Sequence, residues 1–286
     1  MPIEPVNSIQ SNLSAQRAAR VLNENTLLLQ KSLARLSSGL RIISPSDDPG
    51  GLAVSIRLNN EITRATAAQT NISNATSYSE TQSGFLTQVA DALDRMSELA
   101  GLSQDELATA AQRTDYQTEF SELQLFVSDV ATKKFDGISL FSSTNLPVTV
   151  DGDGGTFTLN TTHFTDPVDP ALGGGLETLY NTSNGQSVST TTAAATAEAL
   201  LTTAINNLGL MQAKVGANIT RLNLTSDNLT VLNDNLGAAS DRITVVDVPT
   251  ETTEFTRLQL LVDAGTTMLA EANTRQKSLL DLLKFS

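Results

Sequence analysis

Cysteine and tryptophan are both absent from this chain, and histidine occurs once. Without cysteine there is no disulfide and no thiolate-bound metal. The lone His163 has no second histidine or cysteine to share a metal with, and no H-E-x-x-H run exists. Aromatic residues make up only 4 % of the sequence, so a core must be built from Leu, Ile, Val and Ala. Such residues suit helix-on-helix packing. No apolar run approaches the roughly 20 residues of a membrane-spanning helix. The opening "MPIEPVNSIQSNLSAQRAARV" lacks the apolar segment of a secretory signal. The expectation is a chain with no membrane partner that stays inside the cell or leaves by a route needing no cleaved signal. Positive charge is scarce as well, with 18 basic against 31 acidic residues and a net charge of −13. Nucleic acid, whose phosphates demand a basic face, is excluded as a partner.

What charge there is follows a pattern. Residues 1–44 hold five basic and two acidic side chains, 45–248 nine and 24, and 249–286 four and five. The two ends are therefore near neutral or mildly basic while the middle is strongly acidic. Neutral ends can pack against copies of themselves, and an acidic middle stays in water.

Proline is confined to positions 2, 5, 45, 49, 147, 167, 170 and 249, leaving three long spans without the strongest helix breaker. Within these spans apolar residues recur at alternating spacings of three and four, the pattern of a coiled-coil seam. One line runs Ala15, Ala19, Leu22, Thr26, Leu29, Leu33, Leu36, Leu40. Others run Leu86, Val89, Leu93, Met96, Ala100 and Tyr116, Phe120, Leu123, Val127, Val130. The longest goes from Leu201 to Ile243, and the last runs Phe255, Leu258, Val262, Gly265, Leu269, Ala272, Gln276, Leu279, Leu283. Gln212, Ser226, Asn233 and Ser240 fall on the longest seam, where they set its register or lie on a partly wet surface.

Lengths decide the expected shape. Continuous helices over 52–100 and 193–243 would each span roughly 75 Å at about 1.5 Å per residue, too long for a compact globule. The outer pair, 13–40 and 251–283, also match one another. The fold class expected is mainly α: an elongated rod of long antiparallel coiled-coil-like helices formed by both chain ends, with a small irregular or β-containing tip. Five segments follow: a terminal helix in 1–44, rod in 45–141, a short outer tip in 142–192, rod again in 193–249, and a second terminal helix in 250–286. Within the tip, "PVTV" and "TFTLN" have strand composition around a Gly-rich turn.

Chemistry is hard to find. The stretch "RLSSGLRIISPSDDPGGLAVSIRL", 35–58, has glycines and paired aspartates but no lysine for a phosphate-binding loop. It reads instead as a joint between helices. Gly39 ends one, Ser46, Asp47 or Asp48 caps the next, and Pro49 suits its first turn. "DGDGG" at 151–155 opens like a calcium loop but lacks the closing glutamate. No nucleophile elbow or dinucleotide fingerprint appears. No catalytic residue, metal site or cofactor is expected.

"LARLSSGLRI" followed by "SDD", with "LMQAKVGANITRL" and "AGTTMLAEANTRQKSLLDLL", resembles bacterial flagellin, the subunit of the flagellar filament. The likeness covers residues 1–141 and about 195–286. It implies a helical homopolymer whose terminal segments form the inner tube, with polymerisation along the seam residues Leu22, Leu29, Leu33, Leu36, Leu258, Val262, Leu269, Leu279 and Leu283. The implied partners are other copies, the flagellar cap, hook-associated proteins, and an export chaperone at the C-terminal segment. The implied location is extracellular, reached through type III export without a cleaved signal. "PSDDP" at 45–49 is also how the hook–filament junction protein of the same superfamily reads, so that role stays open. An enzyme carried by the tip is the remaining alternative of another class. The patch read by a host innate immune receptor in this family resembles "LDRMSELAGL". This implies Arg95 and Leu99 as contacts, with Glu119 on the neighbouring helix.

Overall fold

The computed structural model describes residues 12–142, 144–159, 162–164 and 186–284, with the side chains of 276, 277 and 279–284 outside that description. Among the described residues are five long helices: α1 (Leu13–Ser38), α2 (Pro49–Gln104), α3 (Ala110–Ala131), α4 (Thr191–Thr244) and α5 (Val248–Lys284). Two antiparallel hairpins join them, β1 (Lys134–Phe135) with β2 (Ile138–Ser139), and β3 (Leu146–Thr149) with β4 (Thr156–Leu159). The mainly α class with a small β portion is the class observed. No described helix is long and apolar enough to cross a membrane.

Helix ends follow local chemistry. Asp48 caps α2, its Oδ1 accepting from the Gly51 amide at 2.8 Å, with Pro49 in the first turn where a missing N–H costs nothing. Thr109 and Gln112 form a reciprocal capping box at the start of α3. Gly39 takes φ 73° past the end of α1 and donates its amide to the Arg35 carbonyl at 2.8 Å. That left-handed conformation suits glycine. Asp136 and Gly137, at φ 48° and 80°, make the two-residue turn between β1 and β2, whose twist matches a tight hairpin.

The contacts group into two compact units. One comprises the chain up to Asn60 and from Leu236 onwards, and the other Glu61–Asn235. The second unit has the larger core, in which Leu86, Val89, Leu93 and Met96 of α2 are buried with Phe120, Val127 and Val130 of α3 and Leu201, Leu208, Val215 and Leu222 of α4. These belong to the apolar lines read from the sequence. What the lines do not contain is the hairpin that packs on them. Phe157 and Leu159 of β4 are buried in the same core, and the Arg221 guanidinium stands 4.1 Å from the Phe157 ring centre. At the β3–β4 turn, a Cβ on Gly152 would lie 3.3 Å from Cβ of Arg64, a tight contact that glycine avoids where the turn approaches α2. Two buried side chains of α2 secure the chain leading in and out. The Tyr78 hydroxyl donates to the Ser139 carbonyl at 2.8 Å. The Gln82 amide donates to the Leu140 carbonyl at 2.7 Å and the Thr162 hydroxyl at 2.8 Å. Burial also pushes the Tyr78 hydroxyl pKa up.

Candidate functional site: the paired terminal helices

In the first unit α1 and α5 pack along their lengths. They run antiparallel, because ascending positions on α1 meet descending ones on α5. The Asn12 amide donates to the Ala272 carbonyl at 2.9 Å, Leu22 lies beside Gly265, and Arg35 faces Glu251 at 3.6 Å. Gly265 brings the helices close, since a Cβ there would stand 3.2 Å from Leu22 Cδ1.

The seam between them contains Leu22, Leu29 and Leu36 of α1 and Leu258, Val262 and Leu269 of α5. Leu258 is buried, and the other five are only half-buried. Leu33 departs from the expected line. It is 54 % exposed, and Ser32 occupies the buried position in its place. The reason is the phase of the heptad. Counting 15, 22, 29, 36 with 18, 25, 32, 39 keeps one stripe facing α5, whereas Leu33 sits about 100° round from Ser32. Leu40 is exposed too, but it lies beyond the end of α1, where its backbone bridges Val245. The side chains of Leu279 and Leu283 lie outside the described residues.

A polar joint holds the base of this pair. Asp47 has a side chain only 6 % exposed, and both of its carboxylate oxygens are engaged. Its Oδ1 meets Lys31 Nζ of α1 at 2.6 Å, and its Oδ2 accepts from the Ile43 and Ser44 amides at 3.1 and 3.0 Å. Lys31, then the two amides, hold the Asp47 pKa down at about 2. Across the joint, the Arg41 amide donates to the Thr244 carbonyl at 2.7 Å and the Val246 amide to that of Gly39 at 3.0 Å. The Arg41 guanidinium adds two bonds to the Ile243 carbonyl, satisfying the open end of α4. On the far side, Asp247 receives the Thr250 hydroxyl at 2.9 Å at the start of α5. Of the three capping candidates in the joint, Asp48 is thus the cap and Asp47 the clamp. Spacing alone could not separate them.

The clamp has a pH signature. A carboxylate whose folded pKa lies below its unfolded value near 3.8 contributes stability above that value, and loses it as pH falls through about 2. We expect Asp47→Asn to lower the melting temperature of the first unit at neutral pH and to flatten its dependence between about pH 4 and 2. Thermal melts across that window check it; parallel curves for the two proteins would refute the clamp.

The second candidate group divides. Arg95 and Glu119 come together on the surface, Nε to Oε1 at 2.7 Å and Nη2 to Oε2 at 3.0 Å, and Glu98 binds Nη1 at 2.6 Å. Glu119 and then Glu98 push the arginine pKa up, and the arginine lowers that of Glu119. Leu99 does not join them. It is 0 % exposed and part of the core, because it falls on the inward stripe one turn beyond Met96. Leu99 lies beneath the surface that Arg95 and Glu119 form. Asp151 of "DGDGG" turns its carboxylate inward, accepting from the Asp153 and Gly155 amides at 3.0 and 2.6 Å.

Comparison with known proteins bears on what paired terminal helices are for. Residues 9–146 match the bacterial flagellin N-terminal helical region, and residues 199–283 its C-terminal helical region. The flagellar filament 33 kDa core protein of Treponema phagedenis is 31 % identical over 96 % of this chain and 99 % of its own length. Flagellin of Bacillus subtilis (strain 168) is 29 % identical with the same coverage of each chain. Among solved structures, a flagellar hook-associated protein from Vibrio parahaemolyticus shares the fold, with a TM-score of 0.58 at 15 % identity over 70 % of this chain and 100 % of the other. The two matched regions contain α1 and nearly all of α5, the helices whose antiparallel pairing makes the first unit. The chain belongs to the bacterial flagellin family.

Proposed function

We propose that this chain is the repeating structural subunit of the extracellular flagellar filament, polymerising with copies of itself through its paired terminal helices. One observation carries the reading. In the α1–α5 pair Leu22, Leu29, Leu36, Val262 and Leu269 stay half-buried, so two helices alone leave their apolar stripe incompletely covered. Further copies supply the missing cover. The subunit passes through the type III apparatus without a cleaved signal, held first by an export chaperone at its C-terminal segment, and adds beneath a cap above the hook-associated proteins. A host innate immune receptor reading this surface meets Arg95 and Glu119, with Leu99 withdrawn into the core.

The test is to seed purified monomer with short filament fragments and follow growth by electron microscopy. A filament subunit grows without limit, since the same ends provide both sides of a contact that does not close. Removing residues 1–44 or 250–286 abolishes growth. Short, self-limited layers from the intact chain would indicate the hook–filament junction role instead.

A further inference from the structure

Three aspartates of the chain are followed directly by glycine: Asp136, Asp151 and Asp153. An Asp–Gly pair carries a latent reaction. The glycine amide nitrogen can attack the aspartate Cγ, because no side chain on glycine shields that nitrogen. The outcome depends on how each carboxyl and each following amide is held, and the three sites differ. Asp136 takes φ 48° in the β1–β2 turn. A left-handed residue brings its carbonyl oxygen toward Cβ, which turns the next amide nitrogen to the far side. Asp151 accepts at Oδ1 from the Asp153 and Gly155 amides at 3.0 and 2.6 Å, and its Oδ2 fills the space that a Cβ on Gly155 would need. Its carboxylate must leave both amides before Cγ can swing toward Gly152. Asp153 has neither restraint. Its side chain is 91 % exposed and pairs with Arg64 at 3.5 Å, Nη2 to Oδ1. Among the described residues no hydrogen bond engages the Gly154 amide, and the space where a Cβ of Gly154 would stand is open.

We propose that Asp153 is a site of spontaneous isomerisation to isoaspartate, while Asp136 and Asp151 are protected by the way the fold holds them. The Gly154 nitrogen forms a bond to Asp153 Cγ, the carboxyl OH leaves with the amide proton as water, and a five-membered succinimide closes. Water then adds back. Opening at the Cγ carbonyl restores aspartate; opening at the α-carbonyl leaves the main chain running through the side-chain carbons. No oxidant, reductant or cofactor enters, and the product is an isomer of the starting chain. The neutral acid is the reactive form, since a carboxylate offers no good leaving group, so mildly acidic solution favours the reaction. The product has an extra carbon in the main chain of a turn where a Cβ on Gly152 would already crowd Arg64. Its free carboxylate also sits directly on Cα, one carbon shorter than before, and the Arg64 ion pair, 3.5 Å at the outset, is lost. Isomerisation thereby loosens the β3–β4 hairpin from α2.

The experiment ages the full-length chain, folded and in concentrated urea, at about pH 5.5 and about pH 8. Peptide mapping with electron-transfer fragmentation tells the two linkages apart and reads conversion at each position. It also keeps separate Asn184–Gly185, which lies outside the described residues. In the folded chain Asp153 is expected to convert at least about tenfold faster than Asp151, which must first give up two bonds to its carboxylate. Folded Asp153 should convert faster at the lower pH. In urea the three Asp–Gly pairs should convert at similar rates, because only the fold distinguishes them. Asp153→Glu keeps the charge but would need a six-membered ring, and it should stay unconverted through the same incubation. Hydrogen exchange across 146–159 should accelerate in aged wild type and not in that variant. Equal rates at Asp151 and Asp153 in the folded chain overturn the proposal, as does an Asp153 that converts in urea yet stays intact when folded. Unchanged exchange in converted chain overturns the loosening of the hairpin.

Discussion

Leu258→Glu should separate α1 from α5 and abolish polymerisation while Glu61–Asn235 stays folded. Leu258 is the most deeply buried of the described seam leucines, 2 % exposed. Deleting a buried leucine side chain costs about 2–5 kcal/mol. Putting an ionised carboxylate in its place adds the penalty of an apolar site. The first unit has little to set against that loss, because most of its seam is only half-buried. Isolated helices are marginal in water, so loss of packing becomes loss of helix. Hydrogen exchange should accelerate across residues 13–38 and 248–284, with protection in the second unit unchanged. Unchanged protection of α1 would show that Leu258 does not hold the pair. Glutamate at exposed Leu260 makes the contrast: the pair survives.

Leu99→Ala should destabilise the second unit by about 2–5 kcal/mol, the range for a fully buried leucine whose neighbours close in only partly. Leu99 has no exposed surface and sits in a core that includes Phe120 and Val127. Arg95→Ala should change the melting temperature far less, since its partners Glu98 and Glu119 are exposed and water replaces them readily. Denaturant titration of both variants checks this, and a Leu99→Ala midpoint equal to wild type would place that residue outside the core. Any loss of receptor signalling by Leu99→Ala must accordingly be read against loss of fold.

Helix positions were legible in the sequence because their causes are local. Prolines at 45, 49 and 249 fall between or at the starts of helices, and the three-and-four spacing runs through α1 to α5. Side-chain assignments were less secure wherever a one-residue shift of phase mattered. Leu33 and Ser32 are adjacent, and only the partner helix decides which of them faces inward. Leu99 next to Ala100 posed the same problem, with both inward. Asp47 and Asp48 are chemically identical, yet one clamps Lys31 and the other caps α2, because the backbone places their carboxylates differently. The β3–β4 segment showed strand composition, but its seat on Arg64 and Arg221 joins residues far apart in the chain. By itself the sequence determined the helical class, the joints and the flagellin family, since periodicity, capping and motif are written in neighbouring residues. Tertiary structure alone decided which apolar residues are used within one molecule and which remain on its surface. That depends on the phase at which two distant helices meet.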